Sequence, residues 1–405
     1  MASGSPLAAH WTLDPAVSYL NHGSFGAAPR AILEYQTALR AEVERELVDF
    51  LARDIRRRLD EVRVATGAFV GADPACLAFT TNATTAVNAA VRSWDLKPGD
   101  EILTTNQAYG GCWRAMEFIA HRRSARLVIA PVPFPLAGPQ DVFDAVMGAV
   151  TPKTRLAVLD HVTSPTALVY PIERLVPALR ARGVETIVDG AHALGMLPLS
   201  LDRLGAAVYT SNAHKWLCAP KGAAIVYVRA DMRRRVRPLV ASWFTEPQSP
   251  EALFPEEWDW TGTDDPTAVL CIPECIRVIG GMVPGGWTEV MARNHALAAA
   301  AREILMRAFQ CGPPCPEEML GSIASVPLPK PHPDSPAALL DGNSLATRVR
   351  RETGNEALFF RFAPTGAMLV RVSAQLYNDE SQYGPLAEAC LAMLAPPAEP
   401  PRPPC

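Results

Sequence analysis

Short apolar runs alternate with longer helical stretches over the first 230 or so residues of this chain. Leu77–Thr80, Asp100–Thr105, residues 126–132, Leu156–His161, Glu185–Asp189, Ala206–Ser211 and Ala223–Val228 read as strands. Ala31 to about Phe69 repeats apolar residues at mixed three- and four-residue spacing, with Arg–Glu pairs on its other face, and reads as a helix. Residues 139–150 and Ile172–Arg182 read likewise. Strands and helices alternating over short connections predict a mostly parallel sheet covered by helices on both faces. The last two strands are joined by a tight turn around Lys215, which predicts one antiparallel member.

Past residue 266 the pattern changes. Residues 266–310 read as helical, and Ser322–Pro327, Leu358–Arg361 and Leu369–Ser373 alternate like strands of a smaller α+β C-terminal domain. At the other end, Val17–Leu20 reads as a strand entering Asn21–Pro29, a loop whose two glycines predict backbone running close to a neighbour. Proline density marks Pro327–Pro336 as a loop and 396–405 as a disordered tail. The expected organisation is an arm and loop over 1–30, a large domain over 31–265, a small domain over 266–395 and the tail.

Composition narrows the class. At 405 residues the chain exceeds one ordinary core, which agrees with two domains. Hydrophobic residues at 49% and charged residues at 20% suit a soluble globular protein. A formal net charge of −4 gives no basic bias toward nucleic acid or an anionic membrane. No charged segment followed by an apolar run opens the sequence, and no window approaches 18 uninterrupted apolar residues, so neither a secretory signal nor a membrane span is expected. Nine cysteines, an odd number scattered widely, argue against a disulfide framework and for a reduced, cytoplasmic protein. Cys271/Cys275 and Cys311/Cys315 share a spacing, but the first pair reads as part of a buried helix and the second as a turn, so no metal site is expected.

Two stretches carry candidate chemistry. Ala206–Val228 holds His214 and Lys215 in a polar turn between two apolar strands. Lysine is seldom buried without a partner, and desolvation disfavours its charged form, leaving a nucleophile toward aldehydes. The plain alternative is a lysine in a surface turn. In Glu185–Gly195 an apolar strand ends in Asp189, and the C-terminal ends of strands are where α/β sheets bind ligands. An aldehyde-capturing lysine together with a carboxylate able to hold a protonated pyridine nitrogen is what pyridoxal phosphate requires of its protein. Two weaker features point the same way. Thr81–Ala90, a threonine-rich helix start after a strand, can offer N–H groups to a phosphate or be an ordinary N-cap. Arg371, flanked by apolar residues in a strand, suits a bidentate carboxylate clamp. The charged runs Arg53–Arg63 and Arg229–Arg237 read as solvated faces, and His161 as a structural histidine.

These two stretches resemble the class V aminotransferase family of fold-type-I pyridoxal-phosphate enzymes, in the branch typified by isopenicillin N epimerase. Leu20–Gly26, His161–Thr166, Trp260–Asp264 and Leu369–Tyr377 are similar as well, in family order from about residue 18 to residue 395. The resemblance implies the fold-type-I α/β fold, a pyridoxal phosphate cofactor bonded to Lys215, and a homodimer with the active site near its interface. It carries Ala83, Thr84, Asn212 and His214 over as contacts to the cofactor phosphate, and Tyr109 as the ring stacked on its face. His192 carries over to the phenolic oxygen, Asp189 to the ring nitrogen, and Thr163 or Ser164, with Thr163 taken as the candidate, to a position beside the cofactor where relatives have asparagine. Thr263 would reach the phosphate of the neighbouring subunit. Arg371 would hold the substrate α-carboxylate, and Asn21 and His22, in the loop over the site, would contact the substrate as well. The implied substrate is an amino acid or a conjugate of one, deprotonated at Cα, with epimerisation or β-elimination of sulfur to follow. Transamination is the alternative. Between Ser322 and Arg371 there is no cysteine, where desulfurases of the wider family carry a mobile one, so persulfide chemistry is not expected. Two more distant readings are a nucleotide-dependent oxidoreductase, for which no Gly-x-Gly-x-x-Gly follows an early strand, and a catalytically silent binding protein.

Overall fold

A computed structural model describes residues 4–243, 253–335 and 337–396. Most of the proline-rich tail therefore lies outside the described residues. Seven strands form the central sheet: β1 (Leu77–Thr80), β2 (Glu101–Thr105), β3 (Arg126–Ala130), β4 (Thr154–Asp160), β5 (Glu185–Asp189), β6 (Val208–Asn212) and β7 (Ala224–Val228). Their spatial order is β1-β7-β6-β5-β4-β2-β3. β7 runs antiparallel to both of its neighbours and the remaining pairs are parallel, as the tight turn before it requires. Helices cover the sheet, and β6 and β7 are buried along their whole length, which is why they read as continuous apolar runs rather than alternating ones. The register sets Asp160, Asp189 and Thr210 side by side, so β4, β5 and β6 bring their polar C-terminal ends to one edge.

A second sheet is antiparallel. β8 (Ile323–Pro327) and β9 (Leu358–Arg361) flank β10 (Met368–Ser373). Alternation along β10 decides its role. Val370 and Val372 enter an apolar cluster with the long helix Gly286–Phe309 and the helix Tyr383–Leu394, whereas Leu369 joins the core of the central sheet. Arg371 is on the same side as Leu369 and faces the turn after β4, where it reaches Ser164. The Ser325 hydroxyl donates to the Pro165 carbonyl at 2.8 Å, tying that turn to the small sheet.

The N-terminal segment is stitched to the small sheet. Ser18–Tyr19 pairs in parallel with Asn355–Glu356, and the Ser373 N–H donates to the Leu20 carbonyl at 2.7 Å. Beyond it, where a loop is expected, His22–Phe25 forms one helical turn. Gly26 follows at φ 71° with its backbone on the Lys215 turn, and a Cβ built there would stand 1.8 Å from the His214 carbonyl oxygen. The close approach read from the two glycines is thus an approach to the candidate lysine.

Two expected helices are broken. The stretch over 31–69 divides into Arg30–Arg45 and Ile55–Val70, joined through a π-helical turn at Asp49–Asp54. Leu39, Phe50 and Leu59 are all buried, yet nine residues of regular α-helix would put Phe50 and Leu59 on opposite faces. The wider π turn shifts the phase between them. Residues 266–310 form three helices, Thr267–Leu270, Ile272–Gly280 and Gly286–Phe309, interrupted after Gly280 by a turn that contains Pro284 and Gly285.

Gly26→Ala should destabilise the protein by more than about 2 kcal/mol, because both a left-handed φ and a backbone oxygen oppose a Cβ. Gly384→Ala, at a helical glycine with nothing within 4 Å of an added Cβ, should be neutral or stabilising by less than about 1 kcal/mol. Urea unfolding of the two variants measures the difference, and equal midpoints would contradict this account of Gly26.

Candidate active site

A cavity of about 360 Å³ opens where β4, β5 and β6 end, and Lys215, Asp189 and Arg371 all line it. Lys215 sits three residues past β6 in a turn held from within. Its N–H donates to the Asn212 carbonyl at 3.3 Å, and its carbonyl accepts from the Cys218 N–H at 2.9 Å. Glycine backbones press on the turn from two sides. Gly26 lies against His214, and Gly195, at φ 85°, lies against Trp216 with room for no Cβ. A tightly packed backbone of this kind aims the side chain. Lys215 Nζ lies 3.2 Å from His192 Nε2. Burial lowers the amine from its ordinary range to about 7, assisted by the Arg371 guanidinium and opposed by Asp189, Cys112 and Asp160.

Asp189 ends β5 and is buried. One carboxylate oxygen accepts from the Ala191 N–H at 3.0 Å, and the other accepts from the Cys112 thiol at 3.0 Å. Asp160 is its register partner on β4. Burial, and then the neighbouring Asp189, push the Asp160 carboxyl well above the ordinary carboxylate range. Cys112 and Asp160 were missed in the sequence. A signal existed for Asp160, which closes an apolar strand in the same way as Asp189. Nothing in the sequence pairs Cys112, in the helix Gly110–Arg122, with an acid 77 residues away.

The helix Ala83–Arg92 starts at one wall of the cavity. Asn82 caps it by accepting from the Thr85 N–H at 2.9 Å, and the Ala83 N–H donates to the Asn212 side-chain oxygen at 2.8 Å. Asn212 thus ties the end of β6 to the first turn of the helix. Thr84 and His214 line the same cavity. His214 Nδ1 donates to the Ala223 carbonyl at 3.0 Å, and burial lowers the imidazole to about 4. Tyr109, N-cap of the next helix, also lines the cavity and remains 46% exposed. The ring is free to be covered by a ligand.

Arg371 is 1% exposed and has no carboxylate partner among the described residues. Its Nη1 donates to the Ser164 carbonyl and hydroxyl at 2.8 and 3.0 Å, its Nη2 donates to the Ser24 hydroxyl at 3.1 Å, and its Nε has no partner. Burial lowers even this guanidinium to about 10. A buried cation held by neutral groups, with one donor unsatisfied, is a site for an anion.

Four of the expected site residues do not line this cavity, and one of them, Thr263, was expected to act in a neighbouring subunit. Asn21 spends its side chain on the Ser24 hydroxyl, which donates to it at 2.6 Å, and on Glu356. Its neighbour Ser24 is the one that faces Arg371. His22 is fully buried behind the lysine. Its Nε2 donates to the Lys215 carbonyl at 3.0 Å, so its Nδ1 accepts from the Tyr377 hydroxyl at 2.8 Å, and burial lowers it to about 3. It props the lysine's backbone. Thr163 turns into its own loop, bonded to Thr166 and accepting from the Leu168 N–H, and Ser164 borders the cavity in its place. A one-residue offset in an irregular turn is invisible to motif matching. Thr263 is exposed and lines a separate groove with Leu51, Ile55 and Trp260.

Comparison with known proteins agrees with this geometry. Residues 27–383 match the family model of class V aminotransferases. Isopenicillin N epimerase of Streptomyces clavuligerus is 33% identical over 401 residues, covering 94% of this chain and 96% of the relative. A probable chloroplastic L-cysteine desulfhydrase of Arabidopsis thaliana is 28% identical over 93% of this chain and 82% of its own length. Among solved structures, the cystine C–S lyase C-DES in complex with cysteine persulfide superposes with a TM-score of 0.75 at 20% identity, over 94% of this chain and 98% of that one. At that identity the superposition speaks for the fold. The match over most of the chain places this protein in the class V aminotransferase family.

Proposed function

We propose that the protein is a pyridoxal-phosphate enzyme that acts at the Cα of an amino acid or amino-acid conjugate, by epimerisation or by β-elimination of sulfur. The observation that supports it most is the convergence of a lysine amine lowered to about 7, a buried carboxylate at a strand end and a buried guanidinium without a carboxylate on one cavity. The donor set fits the cofactor. Lys215 offers the amine for its aldehyde, Asp189 the carboxylate for its ring nitrogen, and His192 a side chain for its phenolic oxygen. The first turn of the helix at Ala83, with Thr84, Asn212 and His214, suits its phosphate, and Tyr109 offers a ring to stack on. When bound, the cofactor supplies an electron sink for charge developing at Cα.

The chain's own residues do the rest. Arg371 takes the α-carboxylate through a guanidinium that Ser164 and Ser24 hold in place, and so orients the substrate about Cα. Lys215 Nζ, neutral above about pH 7, accepts the Cα proton. Asp189, which accepts from the Ala191 N–H and the Cys112 S–H, would hold a proton on the ring nitrogen. Returning the proton to the other face of Cα epimerises the substrate. Breaking Cβ–S instead, with the electron pair leaving on sulfur and a proton going to the thiolate, releases a thiol and, after hydrolysis, a keto acid and ammonia. Both outcomes begin with the same proton transfer, and relatives named for each are at hand.

The assembly proposed is a homodimer, as the resemblance to the family implies. Thr263 is exposed and outside its own chain's cavity, so its part in cofactor binding is proposed to be in a partner subunit. No helix among the described residues is long and apolar enough to cross a membrane. The eight described cysteines are all unpaired, which supports a reducing, cytoplasmic setting.

The central test is exchange of the Cα proton in deuterium oxide, with a panel of cysteine conjugates and D- and L-amino acids and with product mass and chirality read by mass spectrometry and chiral chromatography. A productive substrate should exchange deuterium into Cα. Lys215→Ala should lower the exchange by at least about a hundredfold while leaving the protein folded. Exchange retained in that variant would overturn the role of Lys215.

With cysteine as substrate, sulfide, pyruvate and ammonia should form, without a protein persulfide or alanine. Cys218 is fully buried with its thiol raised to about 12, and Cys112 is committed to Asp189 with its thiol raised as well. Mass spectrometry of the intact protein after turnover would reveal a persulfide and refute this expectation.

Thr263→Ala should weaken cofactor retention several-fold without changing the Lys215 turn, and sedimentation should give a dimer. A monomer with full activity would remove the argument for Thr263.

A further inference from the structure

Trp216 follows Lys215 and is fully buried. Its indole N–H donates to His192 Nδ1 at 3.4 Å, and the other ring nitrogen of His192, Nε2, lies 3.2 Å from Lys215 Nζ. The indole is not free to leave. Gly195 allows no Cβ against the Trp216 carbonyl, and the His22 ring packs on the indole at a centroid distance of 4.9 Å. An indole nitrogen can only donate, so His192 Nδ1 must accept. A neutral imidazole that accepts at Nδ1 carries its proton on Nε2. His192 is neutral, because burial and then Lys215, Arg371 and His22 lower it well below the ordinary histidine range. The remaining contact, Nε2–H against Nζ, is a hydrogen bond only when the lysine accepts, and an ammonium has no lone pair with which to accept.

We propose that Trp216 is a positioning residue for Lys215, acting through His192: its indole N–H holds His192 as the Nε2–H tautomer, and that tautomer pairs with Lys215 only as the free amine. The device matters because the surroundings are mixed. Arg371 on β10 opposes the ammonium, whereas Asp189 on β5, Asp160 on β4 and Cys112 on the helix Gly110–Arg122 favour it. His22 and His214 face the lysine as neutral rings. The Trp216–His192 pair adds a directional preference, at the nitrogen itself, for the form that attacks an aldehyde or takes a proton from carbon. The inference deepens the role proposed above for Lys215, but it concerns the lysine's own charge and is tested without the cofactor.

The experiment measures the reactivity of Lys215 toward acetic anhydride against pH in the full chain freed of pyridoxal phosphate. Peptide mass spectrometry reads it out, with exposed Lys153 as internal reference. Trp216→Phe keeps an aromatic ring and removes the N–H, freeing His192 to move its proton to Nδ1 and to accept from an ammonium. The reactivity midpoint of Lys215 should rise by about one pH unit, which leaves a roughly fivefold smaller reactive fraction at neutral pH. Adding His192→Phe should cancel most of that rise, since the acceptor is then gone. A folded Trp216→Phe variant with an unmoved midpoint would overturn the proposal. Should that variant not fold, nitrogen chemical shifts of the unaltered chain labelled at histidine, with His192 assigned by its loss in His192→Gln, decide the matter. The Nε2–H tautomer supports the proposal and the Nδ1–H tautomer overturns it. Borohydride reduction of the loaded enzyme, which should fix the cofactor to Lys215, tests the functional reading separately.

Discussion

A lysine that must be uncharged inside a protein needs surroundings that do not let it protonate, and much of this molecule serves that constraint. Burial is the largest influence on Lys215, and burial is maintained by backbone packed against backbone. Gly26 and Gly195 bring two separate segments into contact with the turn where a side chain of any size would hold them off. His22 then takes the lysine's own carbonyl, so the N-terminal segment, the turn after β5 and the turn after β6 hold one geometry together. The lysine can stay where it is only if its nitrogen is satisfied as a neutral group, which is what His192 supplies from the other side.

The rest of the cavity follows the same logic with opposite signs. Asp189 is buried with two donors and no cation of its own, and Arg371 is buried with three neutral oxygens and no carboxylate. Each is an ion whose counter-ion is missing from the chain's own described residues. Such groups carry a desolvation cost that structural ion pairs avoid, as Arg63 does by bonding both Asp60 and Asp259. Unpaired buried charges around one cavity mark where a ligand of matching charge pattern completes the balance: a protonated ring nitrogen for Asp189 and a carboxylate for Arg371. Asp160 shows the limit of this arrangement. Burial, and then the neighbouring carboxylate of Asp189 across β4 and β5, raise the Asp160 carboxyl well above the ordinary carboxylate range.

The large-scale fold was legible in the chain. Every strand of the central sheet was readable from its apolar run, and the antiparallel β7 from the tight turn before it, because a short reversal cannot join parallel neighbours. Element ends and breaks were not. The π turn at Asp49–Asp54 answers a phase requirement set by the core against which Phe50 and Leu59 pack, and no local residue announces it. Within the site, Lys215, Asp189 and Arg371 were visible as charged residues out of keeping with apolar surroundings. Thr163 and Ser164 were not separable, since which of two neighbours faces a cavity depends on how an irregular turn is bonded, here by the Leu168 N–H to Thr163.

By itself, then, the sequence determined the periodicities, and with them the strand-and-helix order, the polar residues at the strand ends and the strand that carries Arg371. Those properties are local, set by side-chain alternation and turn chemistry within a few residues. What faces what was decided only by the tertiary structure. His22 became a support for the lysine backbone instead of a ligand to substrate, Cys112 a donor to Asp189, Ser24 a partner of Arg371, and Trp216 the residue that sets the tautomer of His192. Three of these contacts join residues far apart in the chain, and the fourth joins two turns that follow different strands. Hydrogen-bond direction and burial have no expression in a linear pattern until the sheet has closed those distances to about three ångströms.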